Sequence, residues 1–330
     1  MSSEHRTPAF SLTGPEPVCE LSAGNASIYV YPDAEQMGLA TAINVASHQK
    51  RLVEEKGLCS IMVMAAPSAF AFYQGYQNLV FSSPALQKAL HETHIFQFDD
   101  YALPMHHPVS FRFLLMEKFL APIARFCDSR KVHFFQADAA DTEEACREYG
   151  EAILDSGPDL QVKGVGEDGH WGFHQPGIPL DGSPEFIRVK LAEANVAQQM
   201  RDHPKLFPTA DMVPQYAYTA NVPLFMRTRV LIEDNVPQTS KAFAVLAAYG
   251  NDVVNDRIPS SALKRHHNAA IRLTSASAWA LLEYRERGVV NNEMVRRLDA
   301  SLSGAQAREI GQSVDVIRAI LTEMEITVAG

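Results

Sequence analysis

Residues 27–65 read SIYVYPDAEQMGLATAINVASHQKRLVEEKGLCSIMVMA and contain a strand pattern, a helix pattern and a second strand pattern in succession. The segment SIYVY alternates as a strand does, and Asp33 stands where an N-cap opens a helix from Ala34 to about Glu55. SIMVMA is a continuous apolar run, which is typical of a buried strand. This order predicts a βαβ unit, the building block of a parallel sheet.

The alternation continues along the chain. HIFQF and KVHFFQ have strand patterns, and the helical stretches FRFLLMEKFLAPIARF and TEEACREYGEAIL follow them. DLQVKGVG, VPLFMRTRVLIED and NAAIRL predict further strands, and helices are expected after the turn at Ser240 and in TSASAWALL. We therefore predict an α/β fold with a parallel, Rossmann-like sheet covered by helices on both faces, in three layers.

Three regions differ in composition. Residues 1–26 form a polar leader, residues 27–284 carry the strand and helix alternation, and residues 285–330 are predicted to form a helical C-terminal extension on the same domain. The extension is interpreted as two helices separated by Ser303-Gly304. Its apolar residues recur at helical spacing, which predicts either a cover for the flank of the sheet or a contact in a homo-oligomer.

Composition excludes several classes of protein. The 330 residues carry a formal net charge of −10, and no run of Lys or Arg exceeds two residues, so a nucleic-acid partner is not expected. No window is apolar enough to span a membrane, and the N-terminus lacks a signal-peptide pattern, which together predict a cytoplasmic protein. The four cysteines form no CxxC pair, so neither a disulfide framework nor a zinc ribbon is indicated.

Polar loops follow three of the predicted strands: PSAFAF, DDYALP and EDGHWGFHQP. Ligands bind at the carboxyl ends of parallel strands, so these loops are expected to converge. Ser68 stands at a predicted helix N-terminus, where an anion could be held. Asp99 and Asp100 are adjacent on an extended segment, so only one is expected to face the site while the other caps or pairs behind it.

The segment GVGEDGHWGFHQP, residues 164–176, offers a possible acid–base pair. Asp168 and His170 flank Gly169, close enough for the carboxylate to orient the imidazole. A capping aspartate beside a surface histidine is the alternative interpretation. His170 and His174 have i, i+4 spacing, but glycines and a proline argue against a helix here, so no metal site is predicted.

Together these motifs resemble those of the glucosamine-6-phosphate deaminases. FQFDDYALPMHHPVSF resembles the family's FNMDEYVGLPxxHPxSY, and GVGEDGHWGFHQP resembles GVGxDGHIAFNEP. QTSKAFAV is similar to GxxKAxAL, and SSALKRHHNAAIRL is similar to SxLQxHPxxxxxxD. The likeness extends from about Ile28 to Tyr284.

The resemblance implies roles for particular residues. Asp99 would move protons between C1 and C2 of the opened sugar, His170 would assist ring opening, and Asp168 would orient His170. Lys241 matches the phosphate-binding lysine of the family and would hold the phosphate. Arg201 matches the phosphate-binding arginine if the alignment contains a gap of one residue. No metal or organic cofactor is implied. The predicted catalytic residues are Asp99, Asp168, His170 and Gln175, and the predicted substrate-binding residues are Ser68, Asp100, Gly166, Arg201 and Lys241.

Three departures from the family pattern concern the chemistry. Gln175 replaces the glutamate of NEP, and an amide can hydrogen-bond His170 but cannot offset its positive charge. Residues 67–72 replace the phosphate loop PTGGTP, so that Phe70 and Phe72 are expected to narrow the pocket. Asp100 replaces the glutamate of the family's DEY motif and has a shorter side chain.

Three functions are compatible with these residues. The first is an aldose–ketose isomerase or deaminase that acts on an amino-sugar phosphate. The second is a lactonase, because the related 6-phosphogluconolactonases also carry GxGxDGH followed by a PG dipeptide, as Pro176-Gly177 is here. The third is a sugar-phosphate-binding protein that has lost catalysis. The match at FDDY and HPVS favours the first over the lactonase.

Overall fold

The computed structural model describes residues 14–302 and 314–330. The strands in the described ranges are β1 Cys19–Ala23, β2 Ala26–Tyr31, β3 Cys59–Val63, β4 Thr93–Gln97, β5 Asp99–Tyr101, β6 Val132–His133, β7 Leu160–Lys163, β8 Phe186–Lys190, β9 Tyr216–Ala220, β10 Leu231–Val236 and β11 Ala269–Thr274.

The α-helices of the same ranges are α1 Ala34–Lys56, α2 Phe70–Ser82, α3 Pro84–His91, α4 Phe111–Leu115, α5 Thr142–Ser156, α6 Glu193–Asp202, α7 Val222–Phe225, α8 Ala242–Tyr249, α9 Ser275–Arg287, α10 Asn292–Ser301 and α11 Val314–Glu323. No helix in the described ranges is long and apolar enough to cross a membrane.

Eight strands form the main sheet in the order β1-β2-β11-β10-β7-β3-β4-β6. Each neighbouring pair is parallel except β1 with β2. Strands β3, β7, β10 and β11 are buried at every position, as expected for a sheet with both faces covered. The predicted α/β fold with helices on both faces is therefore confirmed.

The first helix begins and ends where local chemistry directs it. The carboxylate of Asp33 accepts a hydrogen bond of 2.9 Å from the backbone N–H of Gln36, which satisfies one of the open donors at the N-terminus. Gly57 ends the helix with a φ of 81°, a conformation that glycine adopts at little cost. The predicted N-cap is confirmed, and the end of the helix lies one residue beyond Glu55.

A second sheet was not anticipated. Strands β5, β9 and β8 form a three-stranded antiparallel sheet, with Asp99 opposite Thr219 and Phe186 opposite Ala220. Strand β5 is only three residues long and reads DDY, a composition more typical of a turn, so periodicity could not identify it. Asp99 and Tyr101 of β5 line the cavity described below.

Two predicted elements are corrected. The segment VPLFMRT begins with the short helix α7, capped by Asn221, and the strand itself starts only at Leu231. The long helix predicted for FRFLLMEKFLAPIARF is divided into α4, a π-helical turn over Met116–Leu120 and a 3₁₀ segment over Ala121–Phe126. Pro122 lacks a backbone N–H and therefore interrupts the α-helical hydrogen bonding at this point.

The C-terminal helices pack into the main core. Helix α10 buries Met294 and Leu298, and α11 buries Ile317 and Leu321 in the same hydrophobic cluster. The interpretation that the extension covers the flank of the fold is consistent with this packing. Ser303-Gly304 lies outside the described residues, and the domain boundaries stay predictions. Strand β1 lies inside the predicted leader and pairs with β2.

Candidate active site

The predicted loops meet at one cavity of about 490 Å³ beside the carboxyl ends of the strands. The cavity is lined by six of the predicted site residues: Ser68, Asp99, Gly166, His170, Arg201 and Lys241. Its remaining wall is largely apolar and includes Phe98, Tyr101, Val109, Phe111 and Phe173. The convergence that the sequence predicted is confirmed.

Asp168 and His170 form a close pair at the cavity. The Oδ1 atom of Asp168 lies 2.6 Å from Nδ1 of His170 and also accepts a hydrogen bond of 3.1 Å from the His170 backbone N–H. Burial alone raises the pKa of Asp168, but the interactions with His170, and further away with Lys241, outweigh it and leave the pKa below its ordinary value of 3.8. The carboxylate therefore stays ionised and fixes the imidazole in one orientation.

Two glycines make room for this pair. A Cβ on Gly166 would lie 2.2 Å from the His170 ring, so no other residue could stand there without displacing the imidazole. Gly169, between the two catalytic candidates, has a φ of +86°, and a Cβ there would also contact Ile258 at 2.8 Å. Gly166 thus contributes by its missing side chain, in the position predicted to bind substrate.

Asp99 faces the cavity but is almost completely buried, with 4% of its surface exposed. Its Oδ1 atom has no hydrogen-bond partner among the described residues. Burial, aided by the neighbouring charge of Asp100, raises the pKa of Asp99 well above 3.8. A carboxylate of raised pKa with an open oxygen is suited to accept a proton from a bound ligand.

Asp100 points away from the cavity, and its prediction as a substrate-binding residue is corrected. Its carboxylate accepts hydrogen bonds from the side chains of Gln97 and Ser110 and from the backbone N–H groups of Phe111 and Arg112. These contacts anchor the start of α4. The expectation that only one of the adjacent aspartates faces the site is confirmed.

The cationic part of the cavity combines residues from three elements. Ser68 donates a hydrogen bond of 3.0 Å to the side-chain oxygen of Gln238, and Arg201 lies 2.9 Å from Asp202. Burial lowers the pKa of the Lys241 ammonium, while nearby carboxylates, including Asp168, oppose that effect. These cations could hold an anionic group of a ligand.

The two phenylalanines of residues 67–72 have different surroundings. Phe70 lines the cavity and is 38% exposed, which agrees with the predicted change in the pocket. Phe72 is fully buried and packs against Tyr73, Tyr76 and Phe119. The expectation that Phe72 narrows the pocket is therefore wrong, because α2 directs this side chain into the core.

Gln175 is not brought to the site. Its side-chain N–H donates to the backbone carbonyl of Lys190 at 3.3 Å, and it is absent from the described residues that line the cavity. The prediction of Gln175 as a catalytic residue is thus corrected. The tight turn that pairs Trp171 with His174 directs the chain toward β8 before Gln175 is reached.

His174 has a structural position. It is fully buried; Nδ1 accepts a hydrogen bond from the backbone N–H of Val222, and Nε2 lies 3.1 Å from the carbonyl oxygen of Ile178. In residues 14–302 and 314–330 no cluster of three or more His, Cys, Asp or Glu residues could hold a metal ion.

A buried ion pair supports the loop that carries His170. The ammonium of Lys163 lies 2.9 Å from Asp234, and neither side chain is exposed. The same ammonium is 3.4 Å from the hydroxyl of Ser260, which donates to the carbonyl of His170 at 3.0 Å. The Ser260 backbone N–H donates to the carbonyl of Gly169. These contacts therefore hold the loop in place from the side of the protein core.

Three buried polar residues on the cavity wall were not singled out as site residues from the sequence: Glu167, Asn195 and Gln199. Glu167 directly precedes Asp168, so its position in the motif was a usable signal. Asn195 and Gln199 lie on α6, whose sequence EANVAQQMRD shows their shared face only once it is known to be a helix.

Comparisons with known proteins agree with the fold and the motifs. Residues 32–173 match the family model for glucosamine-6-phosphate isomerases/6-phosphogluconolactonase. A glucosamine-6-phosphate deaminase of Shouchella clausii is 28% identical over 199 residues, which are 59% of this chain and 76% of that protein. Another, of Streptomyces coelicolor, is 29% identical over 257 residues, 76% of this chain and 91% of that protein.

A solved structure described as a monomeric glucosamine-6-phosphate deaminase shares the fold, with a TM-score of 0.65 at 24% identity. The match covers 76% of this chain and 98% of that one. The resemblance inferred from the motifs is confirmed: the chain is similar in sequence to glucosamine-6-phosphate deaminases and in fold to one of their solved structures.

Proposed function

We propose that this protein is an aldose–ketose isomerase and deaminase that converts an amino-sugar phosphate and water to a ketose phosphate and ammonia. The observation that carries the proposal is the arrangement of Asp99, His170 and Lys241 around one cavity. Enolisation beside a carbonyl needs a placed carboxylate and a proton donor or acceptor, and the cavity contains both. The relatives named glucosamine-6-phosphate deaminase support the same chemistry.

The steps follow from the positions of the side chains. His170, oriented by Asp168, would move the proton of the anomeric hydroxyl to the ring oxygen as the ring opens. Asp99 would then accept the proton on C2 while the C1 oxygen gains one, and would return a proton to C1. The resulting C2 imine would react with water, releasing ammonia and leaving the ketone.

Lys241 and Arg201 are proposed to bind the phosphate of the substrate. Both line the cavity and both are cationic, and charge-assisted hydrogen bonds to phosphate are among the strongest that side chains form. Ser68 lines the same cavity, and its hydroxyl would donate to the phosphate on turning away from Gln238, which accepts its hydrogen bond here. Burial lowers the pKa of Lys241, and the nearby carboxylates oppose that effect and so favour the charged ammonium.

A paired assay tests this proposal. Ammonia and ketose release are measured across a panel of hexosamine and hexose phosphates, with wild type beside Asp99→Asn. We expect turnover of at least one hexosamine phosphate and a loss of about a hundredfold or more in the variant. Absence of both products across the panel would contradict the proposal, and tight binding without turnover would favour a binding protein.

A lactonase is the second candidate, supported by the PG dipeptide at Pro176-Gly177 and by the family description. In that reaction His170 would act as a general base for water, and Asp99 would not be required. Hydrolysis of a sugar-phosphate lactone that is unchanged in Asp99→Asn would select this candidate. A cytoplasmic location and the absence of a nucleic-acid partner stay predictions of the sequence.

A further inference from the structure

Two side-chain oxygens on α6 have no partner, although both side chains are buried. Asn195 is 3% exposed and Gln199 is 7% exposed. Neither Asn195 Oδ1 nor Gln199 Oε1 accepts a hydrogen bond from any described residue. Leaving a buried acceptor unpaired costs about 1–3 kcal/mol, so two such atoms call for an explanation.

Both residues line the cavity that contains Asp99 and His170. They are four residues apart, which places them on one face of the helix. The side chain of Gln199 lies close enough to the Tyr101 phenol to lower its pKa slightly against the larger, raising effect of burial. Because Tyr101 and Asp99 are two residues apart on β5, they face the same side of the strand, and Gln199 therefore lies near the proposed base.

No donor on the described cavity wall bonds to either oxygen. The neighbouring cavity residues Val109, Phe111 and Phe173 are apolar. Asp99 contributes a third open oxygen to the same cavity, so three of its acceptors have no donor among the described residues. A ligand that satisfies them must bring several hydrogen-bond donors on a small carbon frame, and the hydroxyl groups of a sugar chain have this chemistry.

We propose that Asn195 and Gln199 form a hydroxyl-binding subsite that accepts hydrogen bonds from the open carbon chain of the substrate. This inference rests on the proposed sugar-phosphate function and explains how the site would select its substrate. Helix α6 then selects polyhydroxylated phosphates over phosphates with fewer hydroxyl groups. Sites built to pair with a ligand hydroxyl reject analogues that lack it, because their own polar groups are left unpaired.

Isothermal titration of the full chain with two probes tests the subsite. Glucitol 6-phosphate carries a phosphate and a row of hydroxyl groups, whereas hexyl phosphate carries the phosphate alone. We expect wild type to prefer glucitol 6-phosphate by at least about tenfold, the equivalent of one good hydrogen bond. Asn195→Leu and Gln199→Met keep side-chain volume without the amide, and each should reduce that preference by about tenfold. Their affinity for hexyl phosphate should not fall.

Val196→Ala serves as the matched control, because Val196 lies on the same helix and packs against the small-sheet core. It should leave the preference unchanged. Equal binding of the two probes by wild type, or a preference kept in both amide variants, would overturn the subsite.

Failure of the proposed function gives a different pattern. If neither phosphate binds, glucitol itself is titrated. Glucitol binding that weakens in Gln199→Met would support the subsite while rejecting a phosphorylated substrate. No binding of any of the three probes would overturn both proposals.

Discussion

The Nδ1 atom of His170 lies 2.6 Å from Oδ1 of Asp168, and the backbone N–H of His170 donates to the same carboxylate oxygen. This double contact ties the orientation of the ring to the conformation of its own loop. The other ring nitrogen, Nε2, is thereby available to the ligand in the cavity.

Replacing Asp168 with Asn should lower kcat by about a hundredfold while substrate binding persists, because an amide cannot support a protonated imidazole. Steady-state kinetics measure the change, with Asp181→Asn as the control since Asp181 is exposed. The pKa of Asp168 in the folded protein is below its ordinary value of 3.8. The ionised carboxylate therefore stabilises the fold above pH 3.8, and this stabilisation is lost as the pH falls through the pKa of the folded state. Equal acid stability of wild type and variant would contradict this assignment.

Asp99→Asn should reduce turnover by about a hundredfold or more and yet stabilise the protein at neutral pH. The folded pKa of Asp99 is raised by burial, so its ionisation at pH 7 costs stability that the amide does not incur. Urea unfolding at pH 7 measures the gain in stability, which should shrink as the pH falls and Asp99 of the wild type becomes protonated.

The activity of the wild type should be lost on the acid side at a pH above 3.8, because Asp99 must be ionised to act as a base. A variant less stable than wild type at pH 7 would contradict the raised pKa.

Gln175→Glu restores the residue of the family motif but should not raise kcat. Gln175 contacts the carbonyl of Lys190 and not His170, so a carboxylate there would face a carbonyl oxygen. Loss of that hydrogen bond should cost about 1 kcal/mol of stability. Kinetics and thermal unfolding of the single variant test both statements. A severalfold rise in kcat would show that the side chain reaches His170 during catalysis.

Lys163→Met should destabilise the fold by about 3–5 kcal/mol, because it leaves the buried carboxylate of Asp234 without its cation. Lys163→Met combined with Asp234→Leu should recover part of that loss, since no unpaired charge remains. Urea unfolding of both variants gives the comparison. A double variant as unstable as the single one would show that the ion pair is not the cause.

Leu298→Ala in α10 should cost about 2–5 kcal/mol, because this side chain is fully buried in the main core. Exposed Glu293 on the same helix provides a control, Glu293→Ala, with little expected effect. Size-exclusion chromatography of the control variant and wild type addresses the oligomer separately. A native mass of 36.5 kDa would remove the alternative of an oligomer contact.

Local chemistry made much of the site predictable. The alternation of strand and helix patterns predicted the parallel sheet, and that topology placed Ser68, Asp99 and His170 at one edge. The DGH motif fixed the Asp168–His170 pair because only one residue separates the two side chains. These patterns involve residues that are close together in the sequence, so they can be recognised without knowledge of the tertiary structure.

The direction of other side chains depended on distant partners. Asp100 faces α4 instead of the cavity because four groups of that segment and its neighbours bind its carboxylate. Gln175 leaves the site because the loop turns toward β8, and Asn195 and Gln199 reach it because α6 lies across the cavity.

The sequence by itself therefore determined the parallel sheet, the positions of its loops and the residues of the acid–base motif, all of which follow from short-range patterns. The tertiary structure alone decided the second sheet, the turn of Asp100 and Gln175 away from the cavity and the open acceptors on α6. Antiparallel pairing between β5 and β9 joins segments far apart in the chain. Such pairing depends on how the whole core packs, which no local pattern encodes.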